Sequence, residues 1–163
     1  ERQDRFGIMI QRLQSVYLLL AGITATLLLF IPLARFNVSG QGYFSLSPFG
    51  IDSINVAPIG GTNSYLWVIA LCTVLVAVCS FCSIFLFKHR MLQLKLTRWA
   101  IVFEVVYCMT YAFQCYNFQS NTTSHFAFTI GTVLPSVAFI FLWLAARAIK
   151  KDEELVREAN RIR

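Results

Sequence analysis

The chain has 163 residues, 57% hydrophobic and 13% charged, with Lys+Arg 14 against Asp+Glu 8 and a formal net charge of +6. Soluble domains carry about a quarter charged residues, and so few charges cannot cover a water-facing surface unless much of the exterior meets lipid. The composition therefore argues against a freely soluble protein. The basic residues flank apolar runs and form no aromatic-interleaved stripe, which points away from nucleic acid and towards a bilayer.

In chain order, residues 1–8 precede Met9 and read as an upstream extension or expression remnant, leaving 9–163 as a single integral membrane domain. Val16 to Ala34 gives 19 residues without a charge, about 28 Å of helix against roughly 30 Å of hydrocarbon. Arg5 and Arg12 precede this run as in a signal peptide. The apolar core is too long for one, however, and Pro32-Leu33-Ala34 lacks the small-x-small cleavage pattern, so a retained span is expected. Ala21, Gly22, Ala25 and Thr26 give it small-residue faces suited to close helix packing.

The segment 35–65 is the longest connection, punctuated by Gly40, Gly42, Pro48, Gly50, Pro58, Gly60 and Gly61. A hairpin is expected around Tyr43–Leu46 and Ile51–Val56. Its 31 residues cannot bury a core alone, so it is expected to lie over the span ends or against a partner.

Leu66 to Phe87 is uncharged for 22 residues, about 33 Å, and stops at Lys88-His89-Arg90. Trp99 to Tyr116 is shorter, at 18 residues and about 27 Å, and contains Glu104 and Gln114. Phe126 to Ile149 supplies 24 residues, about 36 Å, charged only at Arg147. Pro135 leaves the Gly131 carbonyl without its helical donor and predicts a helix kink. Beyond Ile149 a helical tail 150–163 is expected. Glu153/Arg157 and Glu158/Arg161 stand at ion-pair spacing there, and Leu155, Ala159 and Ile162 line one face for a membrane surface or partner helix. The fold class expected is thus an all-α bundle of four transmembrane helices.

Orientation follows from Lys and Arg near span ends, which stay cytoplasmic. Arg2, Arg5 and Arg12, the Lys88–Arg98 loop with Lys88, Arg90, Lys95 and Arg98, and the end with Arg147, Lys150, Lys151, Arg157, Arg161 and Arg163 share one side. Arg35 stands alone on the other. Both termini are therefore expected in the cytoplasm, with 35–65 outside. Trp67, Trp99, Tyr17 and Tyr116 stand near span ends, where amphipathic rings favour the headgroup level.

Glu104 is the sole acid inside a span, and intramembrane ionisable residues are costly and call for a role. It lies about 9 Å along the helix from Arg98. A structural ion pair with Arg147, or secondly Arg12, is the first expectation; a proton or ion role and a protonated bystander are the alternatives. Cys79-Ser80-Phe81-Cys82 is a C-x-x-C, but it sits deep in a low-dielectric span that opposes the thiolate, so redox chemistry is not expected. His89 and His125 fall on opposite sides and cannot share one metal or haem. No catalytic, cofactor or metal motif appears. Asn37-Val38-Ser39 and Asn121-Thr122-Thr123 match a glycosylation triplet, a pattern that also arises by chance.

Four pieces of sequence carry a resemblance. They are Met9-Ile10-Gln11-Arg12-Leu13-Gln14-Ser15-Val16-Tyr17-Leu18-Leu19-Leu20; Phe87-Lys88-His89-Arg90 with Gln93 and Lys95; Leu134-Pro135; and Arg147-Ala148-Ile149-Lys150-Lys151-Asp152-Glu153 running to Arg161-Ile162-Arg163. Together they resemble a bacterial four-transmembrane-helix membrane family known as domain of unknown function 4293, over nearly the whole chain from Met9. The resemblance implies a multi-pass protein of the bacterial cytoplasmic (inner) membrane and a natural start at Met9, and it implies no catalytic residue.

The function expected is non-catalytic: an interaction or assembly component in the lipid bilayer, as a homo-oligomer or part of a larger membrane assembly, with no cofactor and no nucleic acid. A small transport or ion-handling subunit using Glu104 is the alternative. A membrane thiol or quinone oxidoreductase comes third.

Overall fold

The computed structural model describes residues 2–38, 42–54, 64–86, 89–121 and 124–161. Four helices and a small sheet alternate along the chain: α1 (Arg2–Leu28), β1 (Ala34–Val38), β2 (Gly42–Ser47), β3 (Gly50–Ile54), α2 (Ser64–Phe85), α3 (Arg90–Asn121), β4 (Ser124–Ala127) and α4 (Ile130–Arg161). The helices close into a ring in which α1 packs on α2 and α4, and α3 on α2 and α4. Stretches of α2 (Leu66–Phe85), α3 (Arg90–Asn117) and α4 (Ile130–Glu158) are long and apolar enough to cross a membrane; the apolar part of α1, Leu13–Leu28, is shorter.

The inside of the ring is filled in three tiers. Leu18, Leu94, Ala145 and Ile149 pack at one end. Ala21, Ala25, Val76, Ala77, Ala100 and Leu142 form the middle, where small residues let the backbones approach. At the other end Leu28, Leu33, Ile69, Cys72 and Tyr107 pack under Phe36, Phe44 and Leu46 of the sheet. The outward surface is the inverse of a soluble protein: Leu13, Val16, Leu19, Ile23 and Leu27 form an exposed apolar stripe on α1, and α2, α3 and α4 expose similar side chains. Such continuous apolar exteriors need a non-aqueous surrounding.

The sheet corrects the all-α expectation. Its order is β3-β2-β1-β4, antiparallel throughout. The hairpin of β2 and β3 falls where one was expected, while Asn55 and Val56 lie outside the described residues. Ala34 and Phe36 of β1 alternate with exposed Arg35 and Asn37, and Phe36 stands opposite Phe44 in β2 and Phe126 in β4. This period of two gives the sheet one buried face, laid on the bundle end. Phe36 and Phe126 meet edge to face at 5.5 Å.

The span boundaries shift accordingly. The first helix ends at Leu28, not Ala34. Pro32 disfavours helical backbone at Ile31, and the Leu33 N–H donates to the Leu46 carbonyl at 2.7 Å, drawing the chain into the sheet. The fourth helix begins at Ile130 instead of Phe126, because 124–127 are spent on β4. Most of the expected loop 88–98 is helix: Arg90, Lys95 and Arg98 occupy the first turns of α3, among Met, Leu and Gln, which are good helix formers. The tail is helical as far as Arg161, continuous with α4.

Candidate functional site

The interior face of α3 is polar. Gln93, Thr97, Ala100, Glu104, Tyr107 and Gln114 are all buried, with Tyr111 half-buried among them. They recur at steps of four and three residues, the spacing that keeps side chains on one helix face. In this series Ala100 alone is non-polar, and from Gln93 to Gln114 the seam runs about 31 Å. The neighbouring α2, which packs on α3, buries Thr73, Ser80 and Ser83.

Glu104 lies midway along this seam at 1% exposure. Its Oε1, the Tyr107 hydroxyl, Gln114 Nε2 and the hydroxyls of Ser80 and Ser83 are buried without a hydrogen-bond partner among the described residues. Cys72, Tyr107 and Cys108 are the electrostatic neighbours of the carboxyl group. Unsatisfied buried polar atoms each cost about 1–3 kcal/mol, and a row of them in one helix-bundle interior is an expensive arrangement. By contrast Thr73 and Thr97 return their hydroxyls to carbonyls one turn back, those of Ile69 and Gln93, at 2.8 and 2.9 Å.

At its capped end the seam is anchored. The Tyr111 hydroxyl donates to the Leu33 carbonyl at 3.1 Å, and the Thr132 hydroxyl donates to the same oxygen at 2.8 Å. Tyr111 stacks on Tyr107 with ring centroids 6.2 Å apart. Gly131 beside Thr132 has no room for a side chain, because a Cβ there would overlap the Pro32 carbonyl. At the basic end Gln14 Nε2 donates to the Ala148 carbonyl at 3.2 Å, and Arg90 meets Asp152 at 3.0 Å.

The structure does not bring Glu104 and Arg147 together. Arg147 lies on the exposed face of α4, its guanidinium 5.7 Å from the centroid of the Trp143 ring, whereas Glu104 faces the interior. No ion pair of Glu104 is formed among the described residues. The side chain of Arg12, the second expected partner, lies outside the described residues, as does Lys88. Arg90, Lys95 and Arg98 follow one another along the start of α3. Pro135 sits in the second turn of α4, buried, and the helix is continuous through it. His89 and His125 stand at opposite ends of the bundle, and no group of three metal-ligating side chains forms among the described residues. All five cysteines are free; Cys79 is half-buried and Cys82 exposed on the outer surface of α2. Both glycosylation triplets reach into residues outside those described.

Residue-by-residue reading finds Glu104 and Gln114 but misses their companions. Gln93, Thr97, Tyr107 and Tyr111 become a set only when the polar residues of α3 are tested for a repeat of three and four; averaging hydropathy along the helix hides that repeat.

Residues 10–162, which include all eight elements apart from the first turns of α1, match the family model described as Domain of unknown function (DUF4293). The chain belongs to the DUF4293 family. Every residue of the seam therefore lies inside the DUF4293 domain, and the family description assigns it no activity. No curated protein matches the chain.

Proposed function

We propose that this chain is a multi-pass protein of the bacterial cytoplasmic membrane that carries protons or small cations along the α3 seam, with Glu104 as the exchanging group and no covalent catalysis. The observation that carries this reading is the unpartnered Glu104 carboxyl oxygen within a row of buried hydroxyls and amides. A carboxyl can take up and release a proton, and neighbouring hydroxyls can pass one along. Their retention in the lipid-embedded interior, at a cost in stability, fits a transfer route better than packing alone. The apolar stripe of α1, a helix of the same ring as α2, α3 and α4, supports a fourth crossing. The basic ends of the helices support both termini in the cytoplasm and the sheet outside.

The test is proton flux into liposomes reconstituted with the purified protein, read by a trapped pH-sensitive dye under an imposed potassium diffusion potential. The expected result is a flux that the wild type supports and Glu104→Gln abolishes. A wild-type rate equal to that of protein-free vesicles, or an undiminished rate in Glu104→Gln, overturns the reading.

A second reading is assembly, as a homo-oligomer or within a larger membrane complex. It is favoured by the end of α4, where Leu155 and Val156 are exposed beyond the bundle among Glu154, Arg157 and Glu158. The Ala159 side chain and Ile162, which complete the expected stripe, lie outside the described residues. Other surfaces on which assembly would draw are occupied: Ala21 and Ala25 are buried inside the chain's own bundle, and Phe36, Phe44 and Leu46 of the connection's strands pack on the chain's own helix ends. Isolation of the tagged protein from native membranes in mild detergent distinguishes the two, since assembly demands a stoichiometric partner or a defined oligomer.

A further inference from the structure

Between α3 and α4, at the basic end, lies an open groove of about 290 Å³ lined by Leu94, Arg98, Trp143, Ala146, Arg147 and Lys150. Its two walls are helix stripes: 94 and 98 are one turn apart on α3, and 143, 146/147 and 150 occupy successive turns of α4. The floor is apolar, with Leu94 buried in the end tier of the core. The rim carries three cations, and all three side chains are exposed. Arg98 and Arg147 have no acidic partner among the described residues, and Lys150 reaches Glu154 at 3.7 Å with both side chains well exposed, a pairing of little strength. The Arg147 guanidinium is held over the Trp143 ring, which fixes one wall of the groove.

The groove sits where the helix surface changes character. Towards the middle of the bundle the adjoining outward faces are apolar, through Val102, Phe139 and Ile140; towards the end of α4 they become charged. Trp99 and Trp143, both more than a third exposed, mark the depth at which aromatic rings meet headgroups. A ligand matching this gradient needs an anion for the rim and hydrocarbon for the surface beyond it. A basic pocket between helices at the membrane surface has that complementarity to a lipid phosphate.

We infer that this groove is a binding site for an anionic glycerophospholipid, whose phosphate sits among Arg98, Arg147 and Lys150 while its acyl chains descend along α3 and α4 past Trp143. The site is independent of proton movement along the seam. The two basic helices it joins are also tied by Arg90 and Asp152 at 3.0 Å, so the lipid would add a second clasp at the same end.

The experiment is native mass spectrometry of the full chain released from nanodiscs of phosphatidylglycerol mixed equally with phosphatidylcholine. The expected result is preferential retention of phosphatidylglycerol. That retention falls about fivefold in Arg98→Gln, similarly in Arg147→Gln, and roughly 25-fold in the double variant, from a contribution near 1 kcal/mol per basic residue. Arg157→Gln, outside the groove, serves as the control and keeps wild-type retention. Far-ultraviolet circular dichroism on each variant verifies the fold, and where a variant unfolds, the conservative Arg147→Lys and Arg98→Lys variants are read instead, retaining the preference. Equal retention of both lipids overturns the inference, as does an Arg98→Gln/Arg147→Gln double variant that binds as the wild type does. Displacement of the lipid by millimolar inorganic phosphate overturns it too, since the groove would then be a site for soluble anions.

Discussion

The first residue of α3, Arg90, and Asp152 of α4 join across the basic end of the bundle, Nη1 to Oδ2, at 3.0 Å. The same guanidinium nitrogen also reaches the Asp152 carbonyl at 3.5 Å. Asp152 is almost fully buried, so removing its partner leaves a desolvated charge. Arg90→Leu should lower stability by on the order of 2–3 kcal/mol. Replacing both residues with Leu should recover much of the loss, because no uncompensated charge remains. Chemical or thermal unfolding of the four members of this double-mutant cycle in nanodiscs checks the expectation; additive losses would refute it.

Two glycines should respond differently to the same methyl group. A Cβ on Gly22 would meet the edge of the Phe81 ring at 3.0 Å, and that ring belongs to a side chain with a partly exposed flank, free to yield. A Cβ on Gly131 would meet the backbone of the turn between α1 and β1, which is pinned by the Thr132 and Tyr111 hydroxyls on the Leu33 carbonyl. Gly22→Ala should cost about 1 kcal/mol or less, and Gly131→Ala about 2–3 kcal/mol or more. Unfolding of the two variants side by side decides this, and a Gly22→Ala that is the more disruptive would contradict it.

Glu104 offers a case in which stability and activity move in opposite directions. A buried carboxyl with an unpartnered oxygen should be replaceable by an apolar side chain of similar volume with a gain. Glu104→Leu is expected to raise stability by about 1–2 kcal/mol while ending proton flux. A marked loss of stability instead would mean that the carboxyl is bonded in the folded protein and acts as a strut.

Much of this molecule is legible in its sequence, and the misreadings share physical causes. The apolar runs of α2 and α4 each stop at a basic cluster, Lys88-His89-Arg90 and Lys150-Lys151, and their lengths mark them. The apolar run of α1 continues past Leu28 to Ala34, where Leu33 and Ala34 are buried under the cap, and hydropathy does not distinguish burial under a sheet from burial in lipid. Arg90, Lys95 and Arg98 look like a loop for the opposite reason: charge at a membrane edge is compatible with helix. The sheet is harder to foresee, since β4 is four residues long and its partner Phe36 stands ninety residues before Phe126. Within the candidate site Glu104 is conspicuous by charge, whereas Tyr107 and Thr97 acquire meaning only from a shared face. The expected partner Arg147 fails because α4 turns it outward, a rotation fixed by Ala145 and Ile149 packing inward.

The orientation can be checked separately. A green fluorescent protein fused after Arg163 should fluoresce in bacterial cells, and a reporter that matures only in an oxidising compartment should be inactive at the same place but active when inserted near Phe49, at the exposed β2–β3 turn. The reverse pattern would invert the assignment of basic ends to the cytoplasm.

The pairing of β1 with β4 has a consequence for biogenesis. During synthesis β1 emerges with its hairpin long before β4 exists, so one edge of that strand stands bare until α2 and α3 have been made. Closure of the cap is thus a late event, possible only once the chain has been made as far as β4. A nascent protein stalled after α2 would display an adhesive strand on the side where the cap is built, a natural flag for quality-control proteases.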